Sequence, residues 1–215
     1  MDRVDISQEA DKFYYRNILK LDERRNKGLL PDIDFLVSQF SSVGRDWRNI
    51  LEVGCLDAYK IIRLHLELSG KPHGIDPSPA AIKMSSEFEI QYGIQGDFQI
   101  GILEKLPWQD GHFDFIFLAF CLYVHDDLMF QNGMKEVSRT LKAFGYVAIL
   151  DFDVFSNTTS DYAYAELTKC YKRNYALELH ALGYHLVSKM NYTESDNAIG
   201  LDPGDRLAVY IFQKL

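Results

Sequence analysis

This 215-residue chain has no apolar run approaching the ~18 residues of a membrane span, and its opening, MDRVDISQEADKFYYRN, carries acids where a signal peptide needs an apolar core. Basic charge is also scarce. Lys and Arg number 23 against 31 Asp and Glu, a formal charge of −8, whereas a phosphate backbone or an anionic bilayer calls for a concentrated basic surface. We therefore expect a cytoplasmic protein that takes neither nucleic acid nor a membrane as its main partner. Cysteine is rare as well. Cys55, Cys121 and Cys170 lie too far apart for a CxxC metal pattern and are odd in number for a disulfide framework, so they read as small buried thiols and no metal is expected. The densest basic stretch, Arg24-Arg25-Asn26-Lys27, follows Asp22-Glu23 and reads as a solvated helix end.

What is present is a regular alternation. Apolar residues make up 47% and charged residues 25%, an ordinary globular balance, with no repeat or low-complexity segment, which suits one structural domain. Helical spacing over residues 7–20 follows Ser7 as an N-cap, and Pro31 opens a second helix stopped near Gly44. Strands are then expected near 49–53, 72–76, 98–103, 113–119 and 145–152, with helices at 57–69, 78–92 and 127–142 between them. Strands apolar on both faces that alternate with helices imply a parallel sheet covered on both sides. A helix over about 160–182 follows, then the runs YHLVSKMNY and DRLAVYIFQKL, separated by a Gly/Asp/Pro-rich turn and able to pair antiparallel.

In such a sheet ligands bind beyond the carboxyl ends of the strands. The first strand runs into ILEVGCLDA, which places Glu52 at its end and Gly54 where backbone approaches a ligand unhindered. Asp76 ends the second strand, where an acid about 20 residues past a glycine turn accepts hydrogen bonds from ribose hydroxyls. A GxGxxG dinucleotide fingerprint is missing, which disfavours a pyrophosphate cofactor and suits one without phosphate.

The segments ILEVGC, GIDPSPAAI, LPWQDGHFDFIFLAFCLYVH and TLKAFGYVAILDFD, in that order, resemble class I S-adenosylmethionine-dependent methyltransferases of the small-molecule, ubiquinone-biosynthesis-like branch, over about residues 48–153. That resemblance implies a three-layer, doubly wound, mostly parallel seven-stranded sheet of Rossmann-like type with an antiparallel C-terminal strand. It implies an N-terminal helical cap over 1–45, a methyltransferase domain over 46–215 and S-adenosylmethionine as cofactor. Glu52, Gly54 and Cys55 would lie at the methionine end, Asp76 on the ribose, Pro77 and Ser78 beside the adenine, Ile102 and Leu103 around the ring, and Phe120 after the fourth strand. The family's second and third loop glycines are here Leu56 and Ala58, and its adenine-contacting acid is Ile102. Ala58 costs little at negative φ, while Leu56 would be strained at positive φ.

Methyl transfer depends chiefly on positioning, with a base where the acceptor is a hydroxyl. Candidates are His125 as base, Tyr123 at the acceptor and Asp151 as an orienting acid, set against a surface or cap histidine, a core tyrosine and, for Asp151 and Asp153, a solvated strand end. Phe13, Tyr14 and Tyr15 form either an aromatic lid or plain packing. Tyr171, Lys172, Arg173 and Tyr175 suit an anionic small-molecule acceptor such as a sugar or polysaccharide precursor, against the plainer reading of an exposed helix face. A catalytically inactive relative and a nicotinamide oxidoreductase stay open as alternatives, as does a homodimer.

Overall fold

The computed structural model describes residues 3–28, 30–162, 169–192 and 206–215. The chain divides into two compact units, Met1–Ile102 and Leu103–Leu215.

The first unit begins with two helices, α1 (Arg3–Asn26) and α2 (Pro31–Phe40). Helix α1 starts before Ser7, so Ser7 lies within it rather than capping it. Pro31 sits at the start of α2, where its missing N–H would be unpaired anyway and its fixed φ suits the helix. Strand β1 (Asn49–Val53), α3 (Tyr59–Leu68), β2 (Lys71–Asp76), α4 (Pro79–Tyr92) and β3 (Asp97–Ile100) follow. All three strands are parallel, with Glu52 beside Gly74 and Asp76 beside Ile100. Helix α3 ends on Ser69 in left-handed conformation, and the next residue must be glycine: a Cβ on Gly70 would stand 2.9 Å from the Ile50 side chain. Ser78 caps α4, its hydroxyl accepting the Ala81 N–H.

The second unit contains β4 (Phe113–Ala119), a short 3-10 turn at Leu122–Val124, α5 (Asp127–Thr140) and β5 (Leu141–Phe152). Every residue of β4 is buried, the mark of a strand covered on both faces. Asp126 caps α5 by accepting the Met129 N–H at 2.8 Å. Beyond β5 the expected helix over 160–182 is overturned: β6 (Thr158–Asp161) and β7 (Lys169–Lys172) make an antiparallel two-stranded ribbon, and among the described residues of that range only α6 (Tyr175–Ala181) is an α-helix. The apolar residues there satisfy a helical spacing locally, but strand pairing decided the conformation. Part of that segment, 163–168, lies outside the described residues, as does the turn expected between the last strands.

The last strands are β8 (Tyr184–Tyr192) and β9 (Leu207–Lys214). Strand β9 runs antiparallel to both β5 and β8. The seven-stranded sheet has the order β3-β2-β1-β4-β5-β9-β8, the doubly wound architecture expected from the strand and helix alternation. Among the described residues no helix is long and apolar enough to cross a membrane.

Candidate functional site

In the first unit the turn after β1 holds three left-handed residues, Gly54 (φ 71), Leu56 (φ 48) and Ala58 (φ 65). Left-handed backbone costs an L-residue roughly 1–2 kcal/mol, so the negative φ that would have made Ala58 inexpensive is not adopted, and Leu56 is strained as well. Hydrogen bonds impose the shape. Gly54 and Cys55 both donate to the Ile75 carbonyl (2.9 and 3.2 Å), and Ala58 donates to the Cys55 carbonyl at 2.8 Å. Asp76 completes the grip. Its Oδ2 accepts the Leu56 N–H at 2.9 Å and its Oδ1 the Ser78 N–H at 2.8 Å.

Burial pushes the Asp76 carboxyl up to about 6, against the pull of those two N–H groups. A carboxylate offers about four lone-pair sites, so each oxygen can still accept a hydroxyl. Glu52, wholly buried, accepts the Ile61 N–H at 3.1 Å and is pushed by burial up to about 8, with Lys60 opposing. Cys55 turns into the sheet: a Cβ on Gly74 would come 2.7 Å from its Sγ, so Gly74 leaves room for the thiol. Burial, then the Asp76 charge, pushes that thiol well up, which leaves it unreactive. Pro77 is half-buried, and Ser78 is buried with its hydroxyl capping α4.

Helix α1 is fastened at two places, to the start of α4 and to the turn after β1. The Ser78 hydroxyl donates to Asp11, which also accepts the Ala80 N–H at 3.1 Å. Towards the other end of α1, Arg25 Nη2 donates to Asp57 Oδ1 at 2.6 Å and Nη1 to Asp22 at 3.0 Å. The guanidinium also covers the Tyr59 ring at 4.6 Å, and its side chain is only 11% exposed, so the solvated reading of the basic stretch fails at Arg25. A buried acid 32 positions away supplies a partner that no local pattern announces. Tyr14 is buried, its hydroxyl pushed up to about 12 by burial and the Asp57 charge, while its neighbour Tyr15 stays exposed.

In the second unit the residues after β4 and β5 gather aromatic rings. Tyr123 lies 6.4 Å from Phe120 and 5.9 Å each from Phe152 and Tyr162, with ring planes tilted or edge-on. Phe120 is itself left-handed, at φ 51. The Lys172 ammonium sits 4.1 Å over the Phe152 ring. His125 is 9% exposed; its Nε2 stands 3.8 Å from Glu104 Oε2, and its buried Nδ1 has no hydrogen-bond partner among the described residues. Burial raises the Glu104 carboxyl, but the neighbouring imidazole outweighs it and holds the group below the usual range.

Asp151 is fully buried, accepting the Phe152 N–H at 2.7 Å and the Tyr175 hydroxyl at 3.0 Å, and burial pushes it up to about 7. Asp153, 5% exposed, binds Lys189 at 2.8 Å and the Tyr210 hydroxyl at 2.6 Å. Neither acid is a solvated strand end. Arg173 and Tyr175 are likewise buried, Arg173 against Asp127 at 2.8 Å, because the segment is a strand and helix start packed on the core rather than an exposed helix face. Ile102 is half-buried, whereas Leu103 is buried with its side chain over Gly133, where a Cβ would come within 2.5 Å.

The chain thus joins a doubly wound sheet with one antiparallel strand, a left-handed turn after β1 and an acid ending β2 that bonds that turn. The family described as "Methyltransferase domain" matches residues 50–145. The uncharacterized methyltransferase YcgJ of Bacillus subtilis (strain 168) is 28% identical over 93 residues, which cover 40% of this chain and 36% of that protein. The chain thus matches about a third of the length of this curated relative. An S-adenosylmethionine-dependent methyltransferase from Clostridium acetobutylicum ATCC 824 shares the fold at a TM-score of 0.68, with 12% identity, covering 93% of this chain and 98% of that one. The [4+2]-cyclase SpnF shares it too, at 0.66 and 16% identity over 85% of this chain and 80% of the cyclase.

Asp11, Arg25, Asp57 and Glu104 were not singled out from the sequence as site residues. Asp57 lay within the quoted ILEVGCLDA, and an acid between two positions that favour glycine is the one local signal that pointed to it. The other three act through contacts distant in sequence.

Proposed function

We propose that this chain uses S-adenosylmethionine to methylate a small cytoplasmic acceptor, with a sugar or polysaccharide precursor as the favoured class. The observation that carries the reading is the turn after β1, which keeps left-handed backbone at 54, 56 and 58 although only the first is glycine. The family match over 50–145 supports the same reading. A shared fold alone would not, since a cyclase has it. Asp76 fits the cofactor because its buried carboxylate keeps lone pairs for the ribose hydroxyls, with Gly54 at the methionine end and Pro77 and Ile102 beside the adenine. When bound, the cofactor supplies an electrophilic methyl carbon.

Residues 1–45 serve as the cap and 46–215 as the catalytic domain. Phe120, Tyr123 and Phe152 offer apolar ring faces on which a sugar packs, with the Lys172 ammonium for an anionic substituent. His125 takes the acceptor proton at Nδ1, with Nε2–H towards Glu104. Asp151, both oxygens engaged, holds Tyr175 and the end of β5 rather than touching the acceptor.

A second reading, a relative that has lost activity, is favoured by the strain at Leu56 and Ala58. Calorimetric titration with S-adenosylhomocysteine, with NADH as control, separates the two. We expect heat from the first ligand only; silence from it at millimolar concentration sinks the cofactor assignment. Asp76→Ala should abolish that heat and, by releasing two backbone N–H groups, lower stability by about 1–3 kcal/mol. Undiminished binding in that variant would remove Asp76 from the ribose.

A further inference from the structure

In the second unit Asp153, just past β5, shares one face of the sheet with Lys189 and Asn191 of β8, with Arg206 just before β9 and with Tyr210 within it. The carboxylate is saturated. Its Oδ1 accepts Lys189 Nζ at 2.8 Å and the Tyr210 hydroxyl at 2.6 Å, while Oδ2 accepts the Asn191 amide and stands 2.9 Å from Arg206 Nε. Burial raises this carboxyl, but those partners outweigh it and hold the group below the usual range, so it stays charged. The cations are not saturated. Among the described residues Lys189 uses one of its three N–H groups, and the Arg206 guanidinium, its Nε off the line of a bond to Asp153, donates to none.

Two positive charges therefore face one negative charge around a hollow of about 310 Å³, in which Asp153 is the one acid among the described residues that line it. Phe155 lines the same hollow and is 90% exposed, a ring left to solvent beside the cations. The hollow lies at the carboxyl ends of β5 and β8, the edge of a doubly wound sheet at which ligands bind. We propose that it is an oxyanion site: Lys189 and Arg206 hold the carboxylate or phosphate of a small organic molecule whose apolar part lies on Phe155. The surplus of N–H donors supplies the charge-assisted bonds, and the site stands whether or not the chain transfers methyl groups.

The test titrates the full chain with inorganic phosphate and with acetate, at ionic strength held constant with chloride, by calorimetry and by thermal melt. One of the two should bind and raise the melting midpoint, and the tighter one identifies the group. Lys189→Gln and Arg206→Gln should each weaken that anion about fivefold or more, whereas Lys169→Gln, on the exposed ribbon, should not. Asp153 keeps three partners in either variant, so both should fold, and melts in chloride check this. Phenyl phosphate and benzoate add a ring to each anion. The one that matches the tighter anion should bind about threefold tighter than it, and Phe155→Ala should remove that gain. No response to either anion, or equal weakening by all three charge variants, overturns the site; no gain from the ring overturns the organic ligand.

Discussion

Leu56 carries backbone strain within the turn after β1. Its φ of 48 lies in the left-handed region, and its N–H is held there by Asp76. Leu56→Gly should therefore leave stability unchanged or raise it by up to about 1 kcal/mol in chemical denaturation, because relief of the left-handed cost offsets the lost side chain. A loss above about 1 kcal/mol would show that leucine packing outweighs the strain. The substitution of two loop glycines was plain in the sequence, but its conformational consequence was not. Whether Ala58 took negative φ depended on bonds from β2, which no property of residues 54–58 encodes. Burial of Asp151 and Asp153 escaped the sequence for a related reason: their partners, Tyr175, Lys189 and Tyr210, lie from 24 to 57 positions away.

The run LPWQDGHFD, the most specific part of the family resemblance, owes its shape to one arginine on α5. Arg139 donates to the carbonyls of Trp108 (2.8 Å) and Leu106 (3.0 Å) and to Asp110 (2.8 Å), while Glu136 one turn earlier accepts the Leu106 N–H at 2.9 Å. Arg139→Ala should destabilise by about 1–3 kcal/mol, lowering the melting midpoint by several degrees. A change within about 0.5 kcal/mol would mean that solvent replaces the staple. Element order from α2 to α5 was legible because periodicity, caps and Pro positions agreed: Pro31 and Ser78 each stand where a helix begins. After β5 that agreement ended. The ribbon of β6 and β7 contains no turn signature within its described residues, and its strands are defined only by pairing with each other.

Among the described residues burial raises the Asp57 carboxyl and, by larger amounts, three others: Glu52 to about 8, Asp151 to about 7 and Asp76 to about 6. In those three the folded state keeps a proton that the unfolded chain has released, so the associated stability is complete below about pH 4 and is lost as pH rises through these values. The melting midpoint should fall between pH 6 and 8, and the Glu52→Gln, Asp151→Asn double variant should flatten that fall. A midpoint that rises over this window, or an unchanged slope in the double variant, would contradict the assignment. The sequence by itself determined the alternation of strands and helices, the acid ending β2 and the resemblance to methyltransferases, because periodicity, caps and short motifs are local properties. Tertiary structure alone decided the handedness of the turn, the union of α1 with Asp57 and the burial of the second unit's charges. Each of those depends on partners that chain distance separates and only packing brings within hydrogen-bond reach.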